Sequence, residues 1–290
     1  MTGARRRPVL VIHGGTGARP DRARAAAIRR SLLRAAAAAC AQLKRGSALE
    51  AVVSAVRLIE DDPLFNAGTG SVLQADGRAR MSASVMDGAR GAFGAVLNIE
   101  RVRHPIDVAA RLLEEPGHRV LEGAGAVRYA RAHGLRPWNP VTAQRRSNWR
   151  RRLNETGAMG TIGAVALDRA GQLAAATSTG GAELAPVGRV SDSGMPVGNF
   201  ATSTVAISCT GYGQDVIEHG LAVRIAQQME DGRSLAEAFR LAFTALRRRG
   251  GRVGAIAVDR AGRIAWQTTL PALFAVAKIG GKYQIIGDSH

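Results

Sequence analysis

The chain has 290 residues, of which 46% are hydrophobic and 22% charged, and this composition excludes a disordered or fibrous protein. Its net charge of +17 comes almost entirely from Arg, without the aromatic-interleaved basic stripe that stacks nucleobases, so nucleic acid is not the expected partner. No segment approaches the roughly 20 apolar residues of a membrane span, and we expect a cytoplasmic protein with no membrane partner.

The first half of the chain predicts a mixture of strands and helices. In chain order these are a strand at 8–12 that ends in a glycine turn at 13–17, helices at 21–45 and 48–60, a loop rich in Pro, Asn and Gly, strands at 80–86 and 91–99, and helices at 105–115 and 118–133. Ser47 and Glu50 have the spacing of a capping box, which marks the start of the second helix. Cys40 and Cys209 lie in apolar runs and predict buried thiols.

Periodicity disappears between Pro137 and Asn154, where prolines and arginines crowd together with few apolar residues. This pattern predicts an exposed, flexible, basic linker at about 137–160. An anion-binding patch is the alternative interpretation of the same arginines.

The second half predicts mainly hairpins. Its elements are strands at 161–168, 172–178 and 204–209, a helix at 215–229, a helix from a second capping box at Ser234 and Glu237 to Arg248, strands at 254–259 and 263–269, and a closing strand at 282–286. The stretches AVALDRAGQLAAAT and AIAVDRAGRIAWQT form a weak internal repeat, which indicates two equivalent hairpins in stacked sheets. The whole predicts an α+β fold of one domain, residues 1–290. Its two largely antiparallel sheets would lie face to face with helices outside, as a four-layer αββα sandwich.

Hydroxyl and glycine residues concentrate at the ends of the predicted strands of the second half. They form clusters at 159–163, 177–181, 188–193 and 208–213, while zinc-like spacing, a phosphate loop and a Gly-x-Ser-x-Gly elbow are absent from the sequence. Because a Thr hydroxyl is a poor nucleophile at neutral pH and none of the six histidines is an obvious base, an N-terminal Thr that uses its own α-amine is the remaining candidate.

These four clusters, together with the stretches at 12–17, 64–68 and 85–88, resemble the plant-type L-asparaginase and isoaspartyl peptidase family of N-terminal-nucleophile (Ntn) hydrolases. The resemblance spans nearly the whole chain. It implies the Ntn-hydrolase fold and autoproteolysis, in which Thr161 attacks the Gly160 carbonyl. The products would be fragments 1–160 and 161–290, with Thr161 as the new N-terminus.

The resemblance also implies roles for individual residues. Thr179 would orient Thr161, the Thr210 hydroxyl and Gly211 N–H would form the oxyanion hole, Arg189 and Asp192 would bind the substrate α-carboxylate and α-ammonium, Gly213 would line the pocket, and Asn66 would belong to a supporting loop. Catalysis would need no cofactor. A structural Na⁺ would be held by the backbone carbonyls of Ile59, Glu60, Asp62, Phe65, Ala67 and Thr69.

The expected substrates are isoaspartyl dipeptides, L-asparagine or both, and the expected assembly is a homodimer of processed units. The family usually has Gly where this chain has Ser191, and the stretch after Asp192 is shorter here, so the sequence does not rank these substrates. Two alternatives stay open. One is a glycosylasparaginase-like hydrolase, although Gly180 stands where those enzymes typically have a Thr-Asn pair. The other is a non-processing basic relative with a binding role.

Overall fold

The structure, a computed structural model, describes residues 7–151 and 160–287. Its first half contains β1 (Val9–Gly17), α1 (Arg22–Arg45), α2 (Ala48–Glu60), β2 (Met81–Asp87), β3 (Ala92–Ile99), α3 (Pro105–Leu112), β4 (Val120–Glu122), α4 (Gly123–Ala132) and α5 (Ala143–Arg151). Its second half contains β5 (Thr161–Leu167), β6 (Leu173–Thr179), a 3₁₀ turn (Asp192–Gly194), β7 (Asn199–Ala201), β8 (Val205–Gly211), α6 (Gly213–His219), α7 (Leu221–Glu230), α8 (Leu235–Arg248), β9 (Val253–Asp259), β10 (Ile264–Thr268), β11 (Ala272–Ile279) and β12 (Lys282–Ile286).

The strands of the described residues form two sheets. The larger has the order β12-β11-β1-β5-β6-β2-β3-β4 and the smaller the order β10-β9-β8-β7. Every pairing is antiparallel except that of β3 with β4. The prediction of two largely antiparallel sheets is therefore confirmed. The two halves of the internal repeat lie in different sheets, as β5–β6 and β9–β10, which confirms two equivalent hairpins.

Three buried hydrophobic clusters hold these elements together. One joins the larger sheet to α1–α4, a second joins β8 and β9 to α6–α8, and a third lies between the two sheets. The smaller sheet alternates accordingly: Ile207 and Cys209 belong to its helix-facing cluster, and Ala206 to the cluster between the sheets. The strands that carry the candidate site thus lie in a closely packed interior.

Local capping explains where several helices begin. Asp21 accepts a hydrogen bond from Arg24 N at the start of α1, and both halves of the predicted capping box form between Ser47 and Glu50 at the start of α2. Ser234 likewise accepts a hydrogen bond from the N–H of Glu237.

Both cysteines are buried free thiols, as predicted. Among the described residues, no helix is long and apolar enough to cross a membrane.

Two predicted helices are wrong in detail, and one strand of the larger sheet was missed. The helix at 118–133 is strand β4 followed by α4, and the helix at 215–229 is divided into α6 and α7 by Gly220, whose φ of 57° is left-handed. Strand β11 was not predicted, although it pairs with β1 inside the larger sheet.

The predicted linker is also wrong over part of its length, because α5 is a regular helix. Its Trp149 indole donates to Gln74 O at 2.9 Å, and the Trp138 indole just upstream donates to Thr69 Oγ1 at 3.1 Å. These long-range contacts stabilise a segment that lacks apolar periodicity. The remainder of the predicted linker, 152–159, lies outside the described residues.

Candidate active site

Thr161 is the first residue of β5 and contacts residues of both sheets. Its side chain is 5% exposed, and its hydroxyl donates to Thr179 Oγ1 at 3.3 Å, across the β5–β6 pair in which the two residues are direct partners. From the smaller sheet, the Thr210 hydroxyl donates to Thr161 O at 3.3 Å. The structure thus brings together the three threonines that the sequence placed at separate strand ends.

A charged pocket adjoins these hydroxyls. One small cavity is lined by Gly160, Thr161, Thr179, Gly181, Ala182, Arg189, Ser191, Asp192 and Gly211. Gly213, the first residue of α6, lies against both charged side chains: a Cβ there would be 2.5 Å from Arg189 Nη2 and 2.5 Å from Asp192 Oδ1. Glycine at this position therefore lets an anion-binding and a cation-binding group approach the same point.

The Asp192 carboxylate is buried and incompletely paired. Its Oδ1 accepts a hydrogen bond from Ser191 Oγ at 3.2 Å, whereas its Oδ2 has no hydrogen-bond partner among the described residues. Burial raises the pKa of Asp192 to about 6, against the opposing effect of the Arg189 charge. A buried carboxylate oxygen without a partner favours a cationic ligand group.

Asn66 ties the loop after α2 to the candidate site. Its Nδ2 donates to Gly181 O at 2.8 Å, its Oδ1 accepts from Val72 N at 2.9 Å, and its backbone carbonyl accepts from Gly180 N at 2.8 Å. Its Cβ would lie 3.7 Å from a Cβ placed on Gly160. The Asn66 loop thus supports both the segment after β6 and the residue before Thr161.

The cavity beside Thr161 is very small in the intact chain. Its volume is about 10 Å³, close to that of a single water probe and too small for an amino acid. A second cavity, of about 420 Å³, lies next to it and is also lined by Gly160. Gly160 therefore lies at the boundary of the two cavities.

A buried polar network under Thr161 was not predicted. His13 Nε2 lies 2.9 Å from Ser208 Oγ, which lies 2.7 Å from Thr177 Oγ1, and Thr177 in turn donates to Asn199 Oδ1 at 3.1 Å. Burial lowers the pKa of His13 to about 3, so the ring is neutral at physiological pH and only a weak base. The alternation of Thr177 with Thr179 along β6 was the only sequence signal of this network. Its other members, His13, Asn199 and Ser208, belong to three different strands.

Glu60 was predicted only for its backbone carbonyl, yet its side chain is also buried near the site. Its Oε1 accepts hydrogen bonds from Ser178 Oγ at 2.6 Å and from Ile106 N at 3.2 Å. Burial raises the pKa of Glu60 well above its ordinary value. This carboxyl connects α2 to β6, one residue before Thr179.

The predicted sodium ligands already carry hydrogen bonds in several places. The carbonyls of Ile59, Glu60 and Asp62 accept the N–H groups of Asp62, Thr69 and Phe65 at 3.0, 2.7 and 3.2 Å. Phe65 O accepts from the Arg145 guanidinium at 3.2 Å, so one carbonyl of this set already contacts a cationic group. The described residues contain no cluster of three or more His, Cys, Asp or Glu side chains that could hold a metal ion.

Comparison with known proteins gives consistent matches over most of the chain. The family model described as asparaginase matches residues 6–287. The isoaspartyl peptidase/L-asparaginase of Synechocystis sp. is 42% identical, covering 97% of this chain and 90% of that protein. The human protein of the same name is 36% identical, covering 94% of each. The plant-type L-asparaginase of Pyrococcus furiosus is 39% identical, covering 73% of this chain and 76% of that protein.

Proposed function

The chain belongs to the asparaginase family, and from that premise we propose that it is made as a precursor that cuts itself between Gly160 and Thr161 and then hydrolyses β-aspartyl amides through Thr161. It is an amide hydrolase of the isoaspartyl peptidase and L-asparaginase type. The observation that carries the site assignment is the small cavity in which the Thr161 hydroxyl, Arg189 and Asp192 converge.

Self-cleavage begins with attack of Thr161 Oγ1 on the Gly160 carbonyl carbon. The peptide C–N bond breaks, the chain is transferred to the hydroxyl as an ester, and water hydrolyses the ester to give a Gly160 carboxylate and the free Thr161 amine. The small size of the cavity supports this order of events, because about 10 Å³ does not admit a substrate until the Gly160 side is released. The expected fragments are 1–160 and 161–290.

After cleavage, the Thr161 amine is the general base for its own hydroxyl. A reference pKa of about 7.7–8.0 leaves a useful fraction of the amine unprotonated near neutral pH, whereas His13 is buried and a weak base. Thr179 orients the hydroxyl across 3.3 Å. The Thr210 hydroxyl and the Gly211 N–H stabilise the oxyanion, and a donor of this kind is typically worth about 10²–10³ in rate.

The substrate head group is bound by opposite charges. Arg189 holds the α-carboxylate with its planar guanidinium, and Asp192 accepts the α-ammonium on its unpartnered oxygen. Binding at these two points presents the β-carbonyl carbon to Thr161. Attack by Thr161 Oγ1 breaks the amide C–N bond, the amine or ammonia leaves with the proton of the hydroxyl, and water hydrolyses the resulting ester to release aspartate.

The pocket wall favours this assignment over the glycosylasparaginase-like alternative. Any Cβ at Gly180 would collide with Asn66 Oδ1 and with Ser71. Glycosylasparaginases typically have a Thr-Asn pair at this point, and a side chain in place of Gly180 would displace the Asn66 loop.

The proposal includes three broader features. The three hydrophobic clusters support a four-layer αββα sandwich of the Ntn-hydrolase type, in one domain. We further propose that the processed units pair as homodimers and that the enzyme works in the cytoplasm without a catalytic cofactor.

Substrate comparison with the processed protein tests this function. We expect hydrolysis of L-asparagine and of β-aspartyl-leucine, with little turnover of a glycosylated asparagine, which has the same head group but a much larger leaving group. α-Aspartyl-leucine is the matched control, since it has the same atoms with the amide at the wrong carbon. Equal rates for the α- and β-linked dipeptides, or a preference for the glycosylated asparagine, would contradict the proposal.

A further inference from the structure

Arg145 connects α5 to the loop that carries Asn66. Its Nε donates to Gly70 O at 2.5 Å and its Nη2 donates to Phe65 O at 3.2 Å. Both carbonyls belong to buried residues. One planar guanidinium therefore joins two ends of the same loop, which a single point charge cannot do with the same geometry.

The loop that Arg145 holds is the one that supports the candidate site. Asn66 follows Phe65 directly and bonds to Gly180 and Gly181 through its backbone and side chain. Arg145 and Asn66 both line the cavity of about 420 Å³ that ends at Gly160. A displacement of Phe65 would therefore move Asn66 and, through its contacts, Gly180, Gly181 and Gly160, which lie close to Thr161.

We propose that Arg145 is the resident cation of this carbonyl-rich loop and a positioning residue for Thr161. Its guanidinium takes the place on Phe65 O at which the resemblance predicts sodium. Arg145 acts through Asn66 and does not contact the reacting atoms. The inference rests on the proposed function because cleavage and turnover are two of its readouts.

The attachment of Arg145 does not depend on the cut. Arg145, Phe65 and Gly70 all precede Gly160, so they stay in one fragment when the Gly160–Thr161 bond is hydrolysed. Two further contacts fix α5 to the same region: the Trp149 indole to Gln74 O and the backbone N–H of Gly70 to Pro140 O, both at 2.9 Å. The helix thus supports the loop in the precursor and in the processed enzyme alike.

The test uses Arg145→Ala, Arg145→Lys and the matched control Arg150→Ala, which removes the same charge from an exposed position of α5. We expect Arg145→Ala to slow self-cleavage and to lower kcat by about tenfold, with KM nearly unchanged because Arg189 and Asp192 are untouched. Arg145→Lys restores only part of the rate. Low-millimolar guanidinium ion restores more of it in Arg145→Ala but has no effect on wild type.

Thermal unfolding in sodium, potassium and choline chloride at equal ionic strength separates the resident guanidinium from a bound metal ion. Wild type is expected to have the same Tm in all three salts, whereas Arg145→Ala has a lower Tm that Na⁺ raises selectively. An equal Na⁺ dependence in wild type, or an Arg145→Ala variant identical to Arg150→Ala in every readout, would overturn the inference. Because unfolding does not require activity, a wild-type chain that fails to cleave would refute the proposed function and leave this measurement valid.

Discussion

At the scale of single residues, Asp192 has a stability cost that its binding role explains. Burial raises its pKa from 3.8 to about 6 in the folded chain, so folding favours the protonated form. Asp192 therefore favours the folded state most at low pH, and this contribution to stability is lost as pH rises from about 4 through about 6. Above that pH range, the folded chain contains a buried, ionised Asp192 carboxylate, which an ammonium group of the substrate would stabilise.

Replacing Asp192 with Asn should reveal this cost. In a Thr161→Ala background, which keeps the chain intact, Asp192→Asn is expected to raise the free energy of unfolding at pH 7.5 by up to about 3 kcal/mol and to have little effect at pH 4. Denaturant unfolding at the two pH values measures the difference. The same substitution in the processed enzyme should raise KM strongly. A variant that is less stable at pH 7.5 would show that the carboxylate is well paired in the fold.

The residues of the candidate site differ in how far sequence alone could identify them. Thr161, Arg189 and Asp192 stand in short motifs whose order and spacing predict a function, and the structure brings them to one cavity. His13 and Ser208 are 195 residues apart and meet only because β1 and β8 belong to stacked sheets. A local sequence pattern carries no information about a contact across 195 residues, so only the structure could identify this network.

At the scale of secondary-structure elements, the junction of β8 and α6 sets the shape of the head-group pocket. Gly213 begins α6 with no side chain, in contact with both charged groups. The chain can therefore turn from strand to helix directly beside Arg189 and Asp192. A larger residue would displace one of the two charges.

Gly213→Ala should therefore raise KM for L-asparagine by tenfold or more, an order-of-magnitude estimate from the loss of one charge-assisted contact, while self-cleavage proceeds at the wild-type rate. The added Cβ would lie 2.5 Å from Arg189 Nη2 and Asp192 Oδ1. Steady-state kinetics and the rate of fragment formation measure the two effects. Gly125→Ala is the matched control, because a Cβ there meets no atom within 4 Å. Equal KM values for both variants would remove Gly213 from the pocket.

The elements that sequence predicted best are those fixed by neighbouring residues. The capping box at Ser47 and Glu50 is complete within one helical turn, so its sequence spacing suffices to locate the start of α2. Helix α5 has no apolar face, and its contacts reach back 69 to 80 residues through Arg145, Arg146 and Trp149. Such a helix is stabilised by tertiary contacts and has no local signal.

At the scale of the whole molecule, the two sheets explain why residues from distant parts of the chain share one site. Strands β5 and β6 are neighbours in the larger sheet, and β8 of the smaller sheet faces them through Thr210. Thr161 therefore has a hydroxyl partner from each sheet. The antiparallel hairpins were predictable from alternation, but β11, which completes the larger sheet beside β1, was not.

The net charge of +17 also belongs to this scale. The remaining alternative, a basic relative that does not process itself and binds a polyanion, requires an intact chain. The amidohydrolase requires a free Thr161 amine, because the described residues place no side chain that is an effective base next to the Thr161 hydroxyl. The two accounts therefore differ in whether the Gly160–Thr161 peptide bond is intact or cleaved.

The mass of the purified chain after incubation tests the account most directly, with wild type and Thr161→Ala compared under identical conditions. The account predicts two wild-type masses, for residues 1–160 and 161–290, and a single mass for the uncut Thr161→Ala chain. A wild-type chain that stays at full length, or a Thr161→Ala chain that is cut at the same bond, would contradict it.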